Sequence, residues 1–365
     1  MGRVFIYAGI DEAGYGPLLG PLCVACTAFV IPDHDPDSAG ACDLWKRLSA
    51  AVCRKRTDKR HRVAVDDSKL LKCSSDGPHH PLKFLERGVL SFSSALPPSL
   101  EGRGLGGGSG ALTETSAPSS NDASPTPLPP PSSERGLAPT CSDFFRALGV
   151  EVDPHEWYGS TTPLPIGQTH DELRIAASRL RKTLEDQHVA IEMLRCEAID
   201  PLPFNDQVER LGNKANVNLC AALRHIDAVW QRWPSPHHPR VICDRHGGRT
   251  RYLETLMQAW PDAHVQVLCE DNRLSRYRLD RNGSRITISF CVEAESQHLP
   301  VALASMTAKY VRELFMLRMN RHFCGLMPEL KPTAGYTEDG RQYLKDIEPM
   351  IAGNNIDRRC LVRSV

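Results

Sequence analysis

Along most of this chain the apolar positions recur with either a strand-like or a helix-like period, and the two alternate as they do in α/β proteins. Residues 3–10 and 21–31 are apolar and β-prone, and the Gly/Pro-rich stretch between them, residues 13–21, predicts a hairpin. Helical spacing over about 142–149 and 170–186 leads to a strand near 190–199 and then a helix near 214–232. The run Pro239-Arg240-Val241-Ile242-Cys243-Asp244 is a short apolar strand ending in a carboxylate, and 249–260 has helical spacing again. Residues 265–268 predict another strand, Asn282-Gly283 sits between alternating runs as a hairpin turn, and 299–322 predicts a long helix. No internal repeat is visible.

One stretch breaks this pattern. From 97 to 140 the sequence turns to Pro, Ser, Gly and Thr, with Gly106-Gly107-Gly108 and Pro129-Pro130-Pro131 inside it. Such a segment buries too little apolar surface to offset its ordering entropy, so a disordered insertion is expected, dividing one domain into residues 1–96 and 141–365.

Composition narrows the class. The 365 residues are 41% hydrophobic and 24% charged, near globular averages, and no uninterrupted apolar stretch reaches the roughly 20 residues that a bilayer requires. The first apolar run meets Asp11 and Glu12 before any signal-peptide core, so nothing marks the chain for export. Thirteen cysteines, scattered without zinc-site pairing or disulfide-scaffold density, fit the cytoplasm. Cys23 and Cys26 lie three apart in a strand-like run, which sends them to opposite faces as buried thiols. Lys plus Arg and Asp plus Glu both total 44, so the whole-molecule field gives no case for a polyanionic partner and any nucleic-acid footprint must be local. Basic residues cluster over 54–62, 245–251 and 273–285, although such runs are more often solvated surface.

The candidate chemistry is acidic. Asp11 and Glu12 are adjacent at an expected strand end, just before glycines that let the backbone turn. Neighbouring side chains diverge in a regular strand, so both carboxylates serve one site only if the pleat stops there. Asp244 ends a second short strand, and strand ends of open α/β sheets border ligand crevices. Glu295 stands just before the long helix. If these strands are neighbours, three or four carboxylates converge in a way that suits hard divalent cations. Acidic residues at strand ends are more commonly solvated caps, and the weight shifts only with the motifs around them.

Those motifs resemble a family. Ala8-Gly9-Ile10-Asp11-Glu12-Ala13-Gly14-Tyr15-Gly16-Pro17, followed by Gly20-Pro21-Leu22, is similar to the opening strand and turn of type 2 ribonucleases H, the ribonuclease HII and HIII group. Asp67-Ser68-Lys69-Leu70, Val241-Ile242-Cys243-Asp244, Ala304-Ser305-Met306-Thr307-Ala308-Lys309 and Gly335-Tyr336 match further motifs of that group in the same order, with the low-complexity insertion between the second and third. The resemblance implies a ribonuclease H-like α/β fold, a mixed central sheet flanked by helices with a C-terminal helical extension. It also implies a Mg2+- or Mn2+-dependent endoribonuclease that cuts RNA paired with DNA, or ribonucleotides embedded in DNA, leaving 5′-phosphate and 3′-hydroxyl ends. The partner is nucleic acid and not a membrane, and the expected state is a monomer. Carried over residue by residue, the metal and catalytic set is Asp11, Glu12, Asp244 and Glu295, with Asp11 bridging two ions. The substrate-binding set is Gly14, Tyr15, Gly16, Lys69 and Tyr336.

Two positions depart from the pattern. Glu295 stands where ribonuclease HII usually has aspartate, which is closer to the HIII form; the neighbouring Glu293 fits the register to Ala304-Ser305 less well. The extra amino-terminal domain of HIII is not expected, because Asp11 stands so near the first residue. Tyr15 replaces the basic residue of the family's Gly-basic-Gly turn, which removes a charge-assisted phosphate contact and puts discrimination of single ribonucleotides in question. Lys69, Lys309, Arg245 and Arg249 are candidates to replace that charge, with Lys69 favoured. Tyr336 is read as stacking on bound nucleic acid, against the simpler alternative of packing beside Tyr343. His246 is left outside the site as a passive neighbour. The rival readings are a non-catalytic relative that binds nucleic acid, and a nuclease of the same fold with another substrate.

Overall fold

A computed structural model describes residues 4–32, 34, 41–74, 77–97 and 139–364. The expected insertion at 97–140, its ends apart, lies outside the described residues. The first part of the chain forms β1 (Phe5–Ala13), β2 (Leu22–Ile31), α1 (Leu44–Arg47), β3 (Val52–Cys53), β4 (Val63–Ala64), α2 (Ser68–Leu71) and α3 (Lys83–Ser93). After the undescribed stretch come α4 (Cys141–Leu148), α5 (His170–Asp186), β5 (Ala190–Ile199), α6 (Pro201–Leu211) and α7 (Lys214–Arg232). Then follow β6 (Arg240–Asp244), α8 (Leu253–Ala259), β7 (His264–Glu270), β8 (Leu274–Arg281) and β9 (Ser284–Cys291). The chain ends with α9 (Ala294–Gln297), α10 (Leu299–Leu326), α11 (Thr337–Asp346) and α12 (Glu348–Gly353).

Seven strands make one sheet in the order β5-β2-β1-β6-β9-β8-β7, so the segments on both sides of the undescribed stretch share it. The centre is parallel, β1 with β6 and β6 with β9, while the flanks are antiparallel. The fold is therefore mixed α/β with helices on both faces. Alternation along β1 shows how the layers form: Phe5 and Tyr7 enter a core with α10, α3, α4 and α5, whereas Ile6, Ala8 and Ile10 enter a second core with α7 and α8. Cys23 and Cys26 are both fully buried, one in each core.

Local chemistry sets several boundaries. A capping box between Thr169 and Glu172 starts α5, Gly212 at φ 84° ends α6, and Asn213 caps α7 through the amide of Asn216. Asn282 and Gly283 both have positive φ in a two-residue turn between β8 and β9, the conformation a type I′ hairpin requires. Helices α3 and α6 are not among the elements expected from the sequence: α3 carries Gly88, which fits under Met306, and α6 opens on Pro201 and Pro203. Strand β1 differs too, because it continues through Ala13, where the apolar pattern stops at residue 10.

Helix α10 lies directly on β1. A Cβ at Gly9 would stand 2.2 Å from the Val301 amide nitrogen and 2.3 Å from the Pro300 carbonyl carbon, so only glycine allows the approach. Thr27 of β2 donates to the Pro300 carbonyl at 2.7 Å and fixes the same end of the helix. Among the described residues no helix is long and apolar enough to cross a membrane.

Candidate active site

Strands β1 and β6 run parallel with Ile10 opposite Cys243, so Asp11 and Asp244 follow each other on adjacent strands, about 5 Å apart at the backbone. Strand β6 ends at Asp244, and the Asp244 carboxylate accepts a hydrogen bond from the Ala294 amide at 3.1 Å. That contact ties α9, and with it Glu295, to the end of β6. Glu293 is exposed, in a left-handed backbone conformation, outside the cleft.

Asp11 and Glu12 reach the cleft by a different route from the one their sequence suggests. The pleat does not stop before them: Asp11 pairs with Ala25 and Glu12 with Val24 inside the ladder. Their side chains accordingly leave opposite faces of the sheet, Asp11 toward Ser305 on α10 and Glu12 toward Asn218 on α7, and each of these polar neighbours favours the charged form of the carboxyl it faces. They share one space because β6 stops at Asp244, so the space past its end is open to both faces of β1.

A single cavity of about 240 Å³ sits at this strand end, and Asp11, Glu12, Asp244, Glu295, Gly14, Tyr15, Gly16, Lys69 and Tyr336 all line it. Asp67, Ser305 and Lys309 complete much of the wall. Burial raises the Asp11 carboxyl well above its usual range, and the charges of Glu12 and Asp244 add to the effect. Glu12 is raised by burial and Asp244, and the polar Asn218 side chain opposes the rise. Asp244 and Glu295 are raised for the same first reason, and Lys69 opposes the shift at Glu12, Asp244 and Glu295. Glu295 Oε2 is buried without a hydrogen-bond partner. Crowded carboxylates with an orphaned oxygen and one facing ammonium form a donor set suited to hard divalent cations.

The Gly14–Gly20 turn is held from beneath. Gly14 has φ 86°, and a Cβ there would stand 2.5 Å from Arg312 Cδ. Arg312 Nη2 donates to the carbonyls of Leu19 and Ala334, and the amides of Leu18 and Leu19 donate to the Gly335 carbonyl at 2.7 and 3.1 Å. The turn and the loop that carries Tyr336 are thus one unit. Tyr336 is 52% exposed beside the cleft, whereas Tyr343 is buried against Phe323, so the two rings occupy different environments. If Tyr336 stacks on a base, Tyr336→Ala weakens substrate binding by about 1–3 kcal/mol with the melting temperature unchanged, measurable by titration of a fluorescent duplex.

The basic candidates separate clearly. Lys309 is paired with Glu313 at 2.8 Å, Arg245 bonds the carbonyls of Asp271 and Asn272, and Arg249 bonds Thr255 and Asn216. Lys69 is exposed at the cleft, its amide capped by Asp67 at 2.8 Å. Burial depresses the His246 pKa to about 4, and its ring packs on Tyr252 and Phe290, away from the cleft lining. A base that the sequence reading missed is Lys214, whose ammonium lies 5.0 Å from the centre of the Tyr15 ring. Asn218, Ser305 and Asp67 were also missed as site neighbours. The helical pattern of α7 and α10 marks Asn218 and Ser305 as polar residues on buried faces, a signal that was available.

A second group was missed altogether. Among the described residues, Asp153, His155 and Asp200 hold ligand atoms within 4.8 Å of one another, closer than the cleft carboxylates do. Two-ion sites spread their ligands over ions about 3.5–4 Å apart, so the more open cleft is compatible with a pair.

The fold and the cleft together define an α/β protein that gathers carboxylates at the ends of the central strands of a mixed sheet. No family model and no curated protein matches the chain. Among solved structures it is similar to the ribonuclease HII in a PCNA:RNase HII complex from Archaeoglobus fulgidus, at 15% identity and TM-score 0.37, covering 98% of this chain and 93% of that one. It is also similar to the ribonuclease H2 from Pyrococcus horikoshii, at 13% identity and TM-score 0.38, covering 98% and 92%. At these identities and scores, the function has to be argued from this chain's own residues.

Proposed function

We propose that this chain is a metal-dependent endoribonuclease of the type 2 ribonuclease H kind, acting on RNA–DNA hybrids or on ribonucleotides embedded in DNA. One observation carries the reading: nine residues chosen from sequence motifs spread over more than 300 positions line one cavity. Asp11, Glu12, Asp244 and Glu295 would hold Mg2+ or Mn2+, and these hard ions keep water and phosphate oxygens as ligands. When bound, such ions supply a nucleophilic water and charge stabilisation for in-line displacement at phosphorus.

The chain's own residues do the rest. Ser305 and Asn218 face Asp11 and Glu12 from opposite layers, and the Ala294 amide orients Asp244. A Cβ at Gly16 would meet nothing within 4 Å, so a nucleic-acid backbone can approach that amide closely. Lys69 offers charge at the cleft, and Lys214 offers it beside Tyr15 in place of the basic turn residue. If Lys214 meets a phosphate, Lys214→Gln weakens binding across all sequences and lowers the slope of log affinity against log salt by about 1.

The test is cleavage of four matched duplexes, with one ribonucleotide, a long hybrid, all DNA and all RNA, with and without divalent cation. The expected result is Mg2+- or Mn2+-dependent cutting of the first two, leaving 5′-phosphate ends. Binding of the hybrid with no cleavage under any cation would make the chain a non-catalytic relative, and cutting of all DNA or all RNA alone would assign another substrate.

A further inference from the structure

We propose that Asp153, His155 and Asp200 form a second metal site, separate from the cleft, that takes one zinc-type divalent transition ion. None of the three lines the cleft. Asp153 and His155 lie on the loop after α4, and Asp200 follows β5. Strand β2 separates β5 from β1, so the group sits two strands away from Asp11.

The three side chains face each other, and the histidine nitrogen among them has no partner. Asp200 is only 4% exposed and occupies the N-cap position of α6, yet its side chain makes no capping hydrogen bond. Its one hydroxyl donor is Tyr158, at 3.0 Å. The His155 ring is stacked on Trp157 at 4.3 Å and 14°, which fixes its direction and brings Nε2 to 4.0 Å from an Asp153 oxygen. That distance is too long for a hydrogen bond, and Nε2 is shielded from solvent with no partner. Among the described residues neither carboxylate pairs with a lysine or arginine. A desolvated imidazole nitrogen and two carboxylates turned toward one point have the spacing that a cation would close.

One nitrogen and two oxygens suit zinc-type ions, whereas magnesium prefers oxygen alone. A cavity of about 430 Å³ bordered by Asp153 and Asp200 leaves room for water in the remaining position. A bound ion would staple the α4–α5 connection to the β5–α6 junction.

The experiment uses the full chain carrying Asp11→Asn and Asp244→Asn, stripped with chelator and titrated with Zn2+ by calorimetry under reducing conditions. One ion per chain is expected beyond any thiol-bound zinc. Losing an outer-shell partner typically weakens metal binding about 10–100-fold, so losing a ligand through His155→Gln should weaken it at least tenfold. Equal affinity and stoichiometry in the His155→Gln chain would overturn the proposal, as would the absence of any zinc beyond the thiols. Should His155→Gln not fold, Asp153→Asn provides the same comparison, since that side chain is 44% exposed. Zinc binding is read without substrate, so it stands or falls apart from the nuclease reading.

Discussion

Asp11→Asn is expected to lower Mg2+-dependent cleavage at least about 1000-fold while raising the melting temperature of the metal-free protein. The first effect follows if the ions supply several kcal/mol of charge stabilisation, since each 1.36 kcal/mol is tenfold in rate. The second follows from electrostatics. Asp11 is buried beside Glu12 and Asp244, and all three carboxyls are raised in the folded chain. A carboxyl with a raised folded pKa costs nothing below its unfolded pKa of about 4. Its penalty grows as pH rises from there, until the folded group ionises as well. Metal-free stability should therefore decline with rising pH, less steeply in the Asp11→Asn chain, and divalent cation should restore it most at the higher pH. Single-turnover cleavage and thermal melts across pH 5–8, with and without chelator, measure both. Retained activity in Asp11→Asn would dismiss the assigned site; a lower metal-free melting temperature would dismiss the repulsion.

The other large effect is on the fold. Gly9→Ala places a methyl against backbone atoms of Pro300 and Val301, where no flexible side chain can move aside. Helix α10 must shift off β1, and overpacking of this kind costs about 3 kcal/mol or more. Chemical denaturation should show that loss. Because Asp11 and Ser305 lie just beyond this contact on the same two elements, the surviving folded fraction should also cleave poorly.

Much of this architecture is legible in the residues themselves. Strand β5 and helices α5 and α7 match their hydrophobic periods because each has one wet face and a strong cap or turn at its end. The residues that line the cleft were gathered through the family resemblance of five motifs, since the residue pattern alone offered carboxylates at separate strand ends. The manner in which Asp11 and Glu12 come together was not legible. Adjacent carboxylates in sequence suggest a strand that ends, and only the register of β1 against β2 shows a strand that continues. Lys214 was hidden because its partner is an aromatic ring about 200 positions earlier. The Asp153, His155 and Asp200 group was hidden because 45 residues and a whole strand separate its halves.

The opposed directions of Asp11 and Glu12 give the two hydrophobic layers a joint stake in one acidic cleft. A conservative change deep under α7 would reach the cleft through Glu12, and one under α10 through Asp11, although neither touches the other's layer. Substitutions tolerated singly in the two layers should then fail in combination more often than their separate costs to stability foretell, so that the interior of this molecule drifts only in concert.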